Sequence, residues 1–247
     1  MRRALLLLLA LAACREAPRP DESKAPRNVV VVGPGAAFTV IMGSFTAPRD
    51  VRYHDAHCLA VPTHDGAEPV SANAGRVEAW VVGGAILGHV ERNGDGVYQA
   101  AVRTVLAPGT RLAGNIPGSA DVPAHRFRTP ATVPTAVHRE APAAGFTARA
   151  GQGLAVRWSG GSASHVTLTL TLEPAGGRGE GLLVTCAAPA APGAFTIPAA
   201  ALAAAPEGVA MARLALAATG RAREGDYALD VVLVGGDDVE VTGSFAR

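Results

Sequence analysis

The stretch Val166-Thr167-Leu168-Thr169-Leu170-Thr171-Leu172 decides the fold class. Valine or leucine alternates strictly with threonine, and this period of two places every apolar side chain on one face of an extended strand. Threonine is β-branched and polar, so it suits the solvent-facing side of such a strand. The stretch therefore predicts an antiparallel strand that is buried on one face only.

The same alternation recurs on both sides of this strand. It is carried by Leu154, Val156 and Trp158 before it and by Tyr227, Leu229, Val231 and Leu233 after it. Further strands are predicted at residues 28–33, 36–46, 51–61, 76–82, 85–91, 96–104 and 110–116. Glycine and proline separate these runs, as in sandwiches and barrels, and residues 92–96 predict a hairpin turn. A short helix is predicted only at residues 198–205, where an alanine run follows a proline.

The prolines at positions 130, 134 and 142 interrupt a segment without an apolar pattern, which predicts a linker over residues 131–143. We therefore expect an all-β chain with two consecutive β-sandwich domains, over residues 28–130 and 144–247. Each is close to the length of an immunoglobulin-like sandwich, about 100 residues. With 49% apolar residues and only 4% aromatic ones, the core must consist mostly of Val, Leu and Ala.

The N-terminus carries the strongest functional signal. Arg2 and Arg3 precede a ten-residue apolar run over residues 4–13, which is too short to span a bilayer and is typical of an export signal. Leu11-Ala12-Ala13-Cys14 resembles the lipobox of bacterial lipoproteins. The resemblance implies removal of residues 1–13 and attachment of lipid to Cys14. It also implies acylation of the new amine, which would make the anchoring stable.

Residues 14–27 are rich in proline and charge and predict a flexible tether. Arg15 follows the cysteine where an Asp would favour the inner membrane in enteric bacteria, so we expect an outer-membrane anchor. The formal net charge of +1 gives no global attraction to nucleic acid. The expected partners are the membrane and an envelope protein or glycan.

Short motifs in both halves resemble known sandwich families. Residues 154–158, 184–186 and 193–198 resemble Ig-like domains of myxobacterial lipoproteins, and residues 95–98 and 107–110 resemble transthyretin-like sandwiches. These motifs are structural, so the resemblance implies a fold and transfers little function.

Once Cys14 carries lipid, Cys58 and Cys186 remain. Export permits a disulfide between them, but they lie in different predicted domains. Cys186 also shares a strand face with Leu182 and Val184, which favours a buried free thiol.

Residues His54, His57, Cys58 and His64 form the densest set of candidate metal ligands. In a strand His54 and His57 point to opposite faces, so the pattern favours a polar loop over a metal site. Asn93–Asp95 has too few ligands for a calcium loop, and Gly33-Pro34-Gly35 lacks the rest of a dinucleotide motif. Trp80 and Trp158 lie at alternating positions, which favours core packing over sugar stacking.

The sequence contains no G-x-S-x-G, H-E-x-x-H or P-loop motif, and neither a cofactor nor a catalytic residue is predicted. The expected function is that of a non-catalytic, membrane-anchored lipoprotein serving as a structural or binding module. A periplasmic metal-binding protein and a carbohydrate-binding adhesin are the alternatives.

Overall fold

A computed structural model describes residues 27–33, 39–44, 51–63, 73–94, 98–102, 104, 106–120, 122–225, 227–233 and 240–247. Almost all regular structure in these ranges is β, as the alternating sequence predicts. The strands are β1 (Arg27–Gly33), β2 (Thr39–Ser44), β3 (Tyr53–His54), β4 (Cys58–Thr63), β5 (Val77–Val81), β6 (Ile86–Val90), β7 (Tyr98–Val102), β8 (Arg111–Ile116), β9 (His125–Arg126), β10 (Ala131–Thr132), β11 (His138–Ala141), β12 (Phe146–Arg149), β13 (Leu154–Ser159), β14 (His165–Pro174), β15 (Gly181–Pro189), β16 (Ala194–Ile197), β17 (Val209–Glu224), β18 (Tyr227–Leu233) and β19 (Glu240–Ala246).

The predicted short helix is present as α1 (Ala199–Ala203), with Pro198 in an extended conformation immediately before it. A single 3₁₀ turn, Ala175–Gly177, follows β14. No helix in the described ranges is long and apolar enough to span a bilayer. The predicted hairpin turn at residues 92–96 lies partly outside the described residues, although Arg92 and Tyr98 pair across it.

One large sheet contains eleven of the described strands. Its strand order is β3-β4-β15-β14-β17-β18-β1-β2-β7, and β19 pairs with both β17 and β12. Strand β17 is sixteen residues long and takes part in both sandwiches. Its first part pairs with β14 and β19, and its last part pairs with β18. The large sheet can therefore supply one layer to each of two sandwiches.

The second sandwich packs β4, β15, β14, the first part of β17 and β19 against the small sheet β11-β13-β16. The alternating valine, leucine and threonine stretch lies in β14, which pairs with β15 and β17 on its two sides. Its apolar members, Val166, Leu168, Leu170 and Leu172, are completely buried. Trp158 of β13 faces them from the opposite layer and is also buried, as predicted.

The first sandwich packs the last part of β17, β18 and β7 against the sheet β10-β8-β5-β6, and β1 and β2 are hydrogen-bonded between β18 and β7. Its core combines Val77, Leu112 and Ile116 from the smaller sheet with Leu229 and Val231 from β18. β1 joins β18 as a parallel neighbour, in register from Arg27 opposite Tyr227 to Gly33 opposite Leu233. β1 also pairs antiparallel with β2 on its other side.

The two sandwiches do not correspond to two consecutive halves of the sequence. Strands β3 and β4 come from the predicted N-terminal domain but pack in the second sandwich, while β18 comes from the predicted C-terminal domain but packs in the first. The predicted linker, residues 131–143, contains β10 and β11, with Val133 buried in the first core and Val137 in the second. Alternation shows that a strand has a buried face but does not show against which sheet that face packs.

The close approach between the small sheet of the first sandwich and β17 requires a glycine. A Cβ atom on Gly220 would overlap the carbonyl oxygen of Thr132 in β10. No side chain fits there, so Gly220 lets the two layers meet where the large sheet passes from one sandwich to the other.

Candidate functional site

The segment with the candidate ligands His54, His57 and Cys58 folds into the tight hairpin between β3 and β4, and Asp55 organises it. Asp55 Oδ2 accepts a hydrogen bond from the Tyr53 hydroxyl at 2.5 Å, and Oδ1 accepts from the backbone N–H groups of His57 and Cys58 at 2.8 and 2.6 Å. The Asp55 N–H in turn donates to the Cys58 carbonyl at 3.0 Å. This is a self-capped turn of the kind aspartate often forms, and it places Cys58 at the start of β4.

The same hydrogen bonds shift the pKa values of Asp55 and Tyr53. Burial raises the pKa of Asp55, but hydrogen bonds from Tyr53, Cys58 and His57 outweigh it and hold that pKa below its ordinary value. The bond to Asp55 raises the pKa of Tyr53, because the neutral phenol is the donor. The Asp55 carboxylate is therefore an anion committed to the turn.

Cys58 and Cys186 form a disulfide, which contradicts the preference for a free thiol at Cys186. The two residues are directly opposite each other where β4 pairs with β15, and both are buried. The free-thiol prediction failed because it placed Cys58 in the first domain, whereas β4 lies in the second sandwich, between the edge strand β3 and β15. The bridge joins segments 128 residues apart in sequence.

The four candidate metal ligands are not brought together as a set. Cys58 is in the disulfide, and His57 packs edge-on against Phe195 at 5.8 Å between ring centres. His54 is exposed on β3, while His64 lies outside the described residues. Across the described ranges no three His, Cys, Asp or Glu side chains are grouped closely enough to hold a metal ion.

The two tryptophans differ in environment. Trp158 is 3% exposed and donates its indole N–H to the Ala190 carbonyl at 3.0 Å, so it is a core residue. Trp80 is partly exposed on the outer face of β5, with the guanidinium of Arg126 at 5.5 Å from its ring centre. Core packing is therefore confirmed for Trp158, whereas the Trp80 ring is accessible from solvent.

A polar cluster that sequence reasoning missed joins the end of β17 to the loop around β9. Glu224 Oε1 accepts hydrogen bonds from the backbone N–H groups of Arg128 and Thr129, both at 2.7 Å. His125 stacks on Tyr227 with ring centres 4.3 Å apart, and its Nε2 lies 3.3 Å from Glu224 Oε2 without forming a hydrogen bond. Glu224 lies 96 residues from Arg128 in sequence, so no local pattern could have revealed the contact.

The Glu224 contacts predict an acid-sensitive contribution to stability. Hydrogen bonds from Thr129 and Arg128, assisted by His125, hold the pKa of Glu224 below its ordinary value of 4.5 against an opposing effect of burial. A carboxyl whose pKa is lower when folded stabilises the fold above its unfolded pKa and loses that contribution as the pH falls through the folded value. We therefore expect Glu224→Gln to flatten the decline of the urea midpoint below pH 4.5.

The matched control for this measurement is Glu207→Gln, because the Glu207 side chain is 93% exposed. Its urea midpoint should follow the wild-type curve at every pH. An acid decline as steep in Glu224→Gln as in the wild-type protein would show that Glu224 does not carry the effect.

A second polar cluster lies on β17 and β18 and includes Ser164, immediately before β14. Arg221 donates from Nε and Nη2 to the two carboxylate oxygens of Asp230, both at 2.7 Å, and Asp230 is only 4% exposed. The bond to Asp230 raises the pKa of Arg221. Ser164 accepts a hydrogen bond from the Arg221 N–H at 3.1 Å and donates to the Thr219 carbonyl at 3.2 Å. The polar groups of the cluster are hydrogen-bonded to one another, so the cluster is a structural cross-link between neighbouring strands.

The comparisons with known proteins add little to this picture. No protein-family model and no curated protein sequence matches the chain. Among solved structures, the fibronectin(III)-like modules of Clostridium thermocellum CbhA are 15% identical, over 86% of this chain and 90% of that one, with a TM-score of 0.23. Rst D1-D2 is 11% identical, over 90% and 97% of the two chains, with a TM-score of 0.19. TM-scores this low do not support a fold assignment, so the assignment rests on the strand pairing described above.

Proposed function

We propose that this chain is a non-catalytic lipoprotein of the bacterial outer membrane, anchored through Cys14 and serving as a structural or binding module. The observation that carries the proposal is the buried Cys58–Cys186 disulfide. Disulfides form and persist in exported proteins and are rare in the cytosol. The bridge thus agrees with the export signal and with the lipobox-like Leu11–Cys14.

The use of polar side chains in the described part of the chain supports the non-catalytic assignment. Asp55 caps a turn, Glu224 binds backbone N–H groups, and Asp230 is fully engaged by Arg221. A catalytic acid or base needs a proton-transferring atom within reach of a substrate, and these three carboxylates point their oxygens at the protein itself. Hydrolysis of a peptide, ester or glycoside panel by purified protein, lost on a point mutation, would contradict the assignment.

The anchor is tested by metabolic labelling with a palmitate analogue. The wild-type chain should incorporate the label and float with outer-membrane vesicles, whereas Cys14→Ala should do neither. Cys58→Ala is the control for cysteine loss elsewhere and should keep the label. Equal labelling of the wild-type and Cys14→Ala chains would refute the anchor. Antibody labelling of a C-terminal tag on intact cells then shows whether the domains face outward or into the periplasm.

The carbohydrate-binding alternative retains one favourable observation, the accessible ring of Trp80. Aromatic faces can stack on ligands, and Arg126 beside the ring offers a hydrogen-bond donor. A glycan array probed with the wild-type protein and Trp80→Ala tests it, since a specific signal should be lost in the variant.

A further inference from the structure

The hairpin between β5 and β6 exposes apolar side chains that the fold does not require there. In the described part of the chain three large hydrophobic side chains are exposed, and two of them, Val82 at 42% and Ile86 at 66%, lie at the tip of this hairpin. Trp80 lies directly opposite Ile86 in the strand pairing and shares the same outer face. We call Trp80, Val82 and Ile86 the apolar tip.

The sequence around the apolar tip is free of charge. Residues 79–88 contain no ionisable side chain, and the turn is closed by backbone hydrogen bonds from Gly84 to the Val81 carbonyl and from Val81 to the Ala85 carbonyl. Ala79 and Leu87 are buried in the first sandwich, so core packing holds the hairpin while its outer side chains remain in solvent. The exposed apolar surface is thus presented on a well-supported strand pair.

Two arginines flank the apolar tip. Arg126 lies over the Trp80 ring, and Arg111 is exposed on β8 at the level of Val82, whose N–H donates to the Arg111 carbonyl at 2.9 Å. No described carboxylate lies within ion-pair distance of either guanidinium. The tip is therefore apolar at its end, with two arginines beside it and Glu78 two residues before Trp80 on the same face of β5.

The end of the predicted tether lies at the other end of the first sandwich along its strands. Arg27, the first residue of β1, pairs with Tyr227, and the Tyr227 hydroxyl donates to the Pro123 carbonyl at 2.9 Å. Tyr227 stacks on His125, which precedes Arg126. His125 lies opposite Ile116, at one end of β8, whereas Val82 is level with Arg111 at the other end, about 17 Å away along the strand. The steps from Cys14 to Arg27 can extend at most about 47 Å, which is long enough for the tip to reach the membrane that would hold the anchor.

We propose that the apolar tip docks on the surface of the membrane to which the chain is anchored, with Trp80, Val82 and Ile86 in the interfacial layer and Arg111 and Arg126 on anionic headgroups. Tryptophan favours the bilayer interface, and arginine can reach headgroups while its stem stays in apolar surroundings. Three side chains offer far less than the roughly 800 Å² per partner of a stable protein interface. Shallow insertion into lipid has no such requirement. The proposal rests on the proposed anchoring and adds a second contact to it.

The test uses the lipidated full chain reconstituted into vesicles that contain anionic lipid and a phospholipid brominated near the headgroup end of its acyl chain. Bromine quenches tryptophan only at short range, and Trp158 is buried, so a loss of emission reports on Trp80. We expect the wild-type protein to lose emission on brominated vesicles and Trp80→Phe to show no such loss. Replacing anionic by zwitterionic lipid should weaken the quenching.

The variant Val82→Ser/Ile86→Ser should abolish the quenching while the protein still floats with the vesicles. Met211→Ser is the matched control, because Met211 is 47% exposed on β17, and it should quench like the wild-type protein. An unchanged circular dichroism spectrum shows that each variant is folded.

Separate outcomes distinguish the docking surface from the anchor. Flotation without quenching would overturn the docking surface but not the anchor. Quenching without flotation would overturn the anchor but not the docking surface. Equal quenching by the wild-type and Val82→Ser/Ile86→Ser proteins, or equal quenching on anionic and neutral vesicles, would overturn the roles assigned to the tip and to its arginines. A response of Trp80 emission to soluble glycans but not to vesicles would replace the membrane by a carbohydrate.

Discussion

Asp230→Ala is expected to lower the free energy of unfolding by about 3 kcal/mol or more, because breaking a buried ion pair leaves the remaining charge without compensation. Asp230 is 4% exposed, and its two oxygens accept both hydrogen bonds from Arg221, whose side chain is 21% exposed. Urea unfolding at neutral pH measures the loss.

Two further variants separate the buried pair from ordinary charge removal. Arg221→Met/Asp230→Leu removes both charges and should recover most of the lost stability, since apolar replacement of a whole buried pair is often close to neutral. Glu173→Ala removes a carboxylate that is 37% exposed and 3.6 Å from Arg213, and should cost less than about 1 kcal/mol. Similar losses in Asp230→Ala and Glu173→Ala would contradict the assignment.

Removing the disulfide in Cys58→Ala/Cys186→Ala is expected to cost about 2–5 kcal/mol, which is typical for a native bridge. The bridge closes 128 residues of sequence, and in the chain-entropy model long loops gain the most from closure. It also attaches β4, next to the edge of the large sheet, to β15. Urea midpoints of the oxidised wild-type and variant proteins measure the difference.

Reductant provides the control for the disulfide prediction. It should lower the midpoint of the wild-type protein towards that of the variant and leave the variant unchanged. Cys14→Ala should match the wild-type midpoint, because Cys14 takes no part in the bridge. Wild-type stability that does not respond to reductant, in a protein shown to have lost the bridge, would refute the prediction.

Much of the fold could be predicted because each strand carries its own signal. The alternation in β14 and β18 fixes which side chains are buried, and the proline before α1 marks where the short helix begins. These are local properties of neighbouring residues, and hydrophobic periodicity reports on them directly.

The partners of the strands could not be predicted in the same way. Nothing in residues 27–33 indicates that β1 pairs in parallel with β18, which lies near the other end of the chain, and nothing in β4 indicates that it belongs beside β15. Apolar alternation is compatible with any sheet that offers an apolar face, so the choice depends on the whole assembled core. The expected domain membership of Cys58 was wrong for this reason, and the free thiol was preferred to the disulfide because of it.

The candidate sites differ in the same way: a site built from neighbouring residues could be predicted, and sites built from distant residues could not. The turn around Asp55 uses neighbouring residues, and its polar character was predicted from residue types alone. The clusters around Glu224 and Asp230, and the apolar tip, depend on which side chains the strands bring together or leave uncovered. Residue types could not show them, since Glu224 and Ile86 have no distinguishing pattern around them in the sequence.

The position of β1 has a mechanical consequence. It is hydrogen-bonded along its length to β18 on one side and to β2 on the other. A pull on its N-terminal end, directed along the strand, would load both ladders in shear, so their hydrogen bonds would share the force instead of opening one after another. Under the proposed anchoring, a drag force transmitted through residues 14–27 would therefore be shared along both ladders of β1.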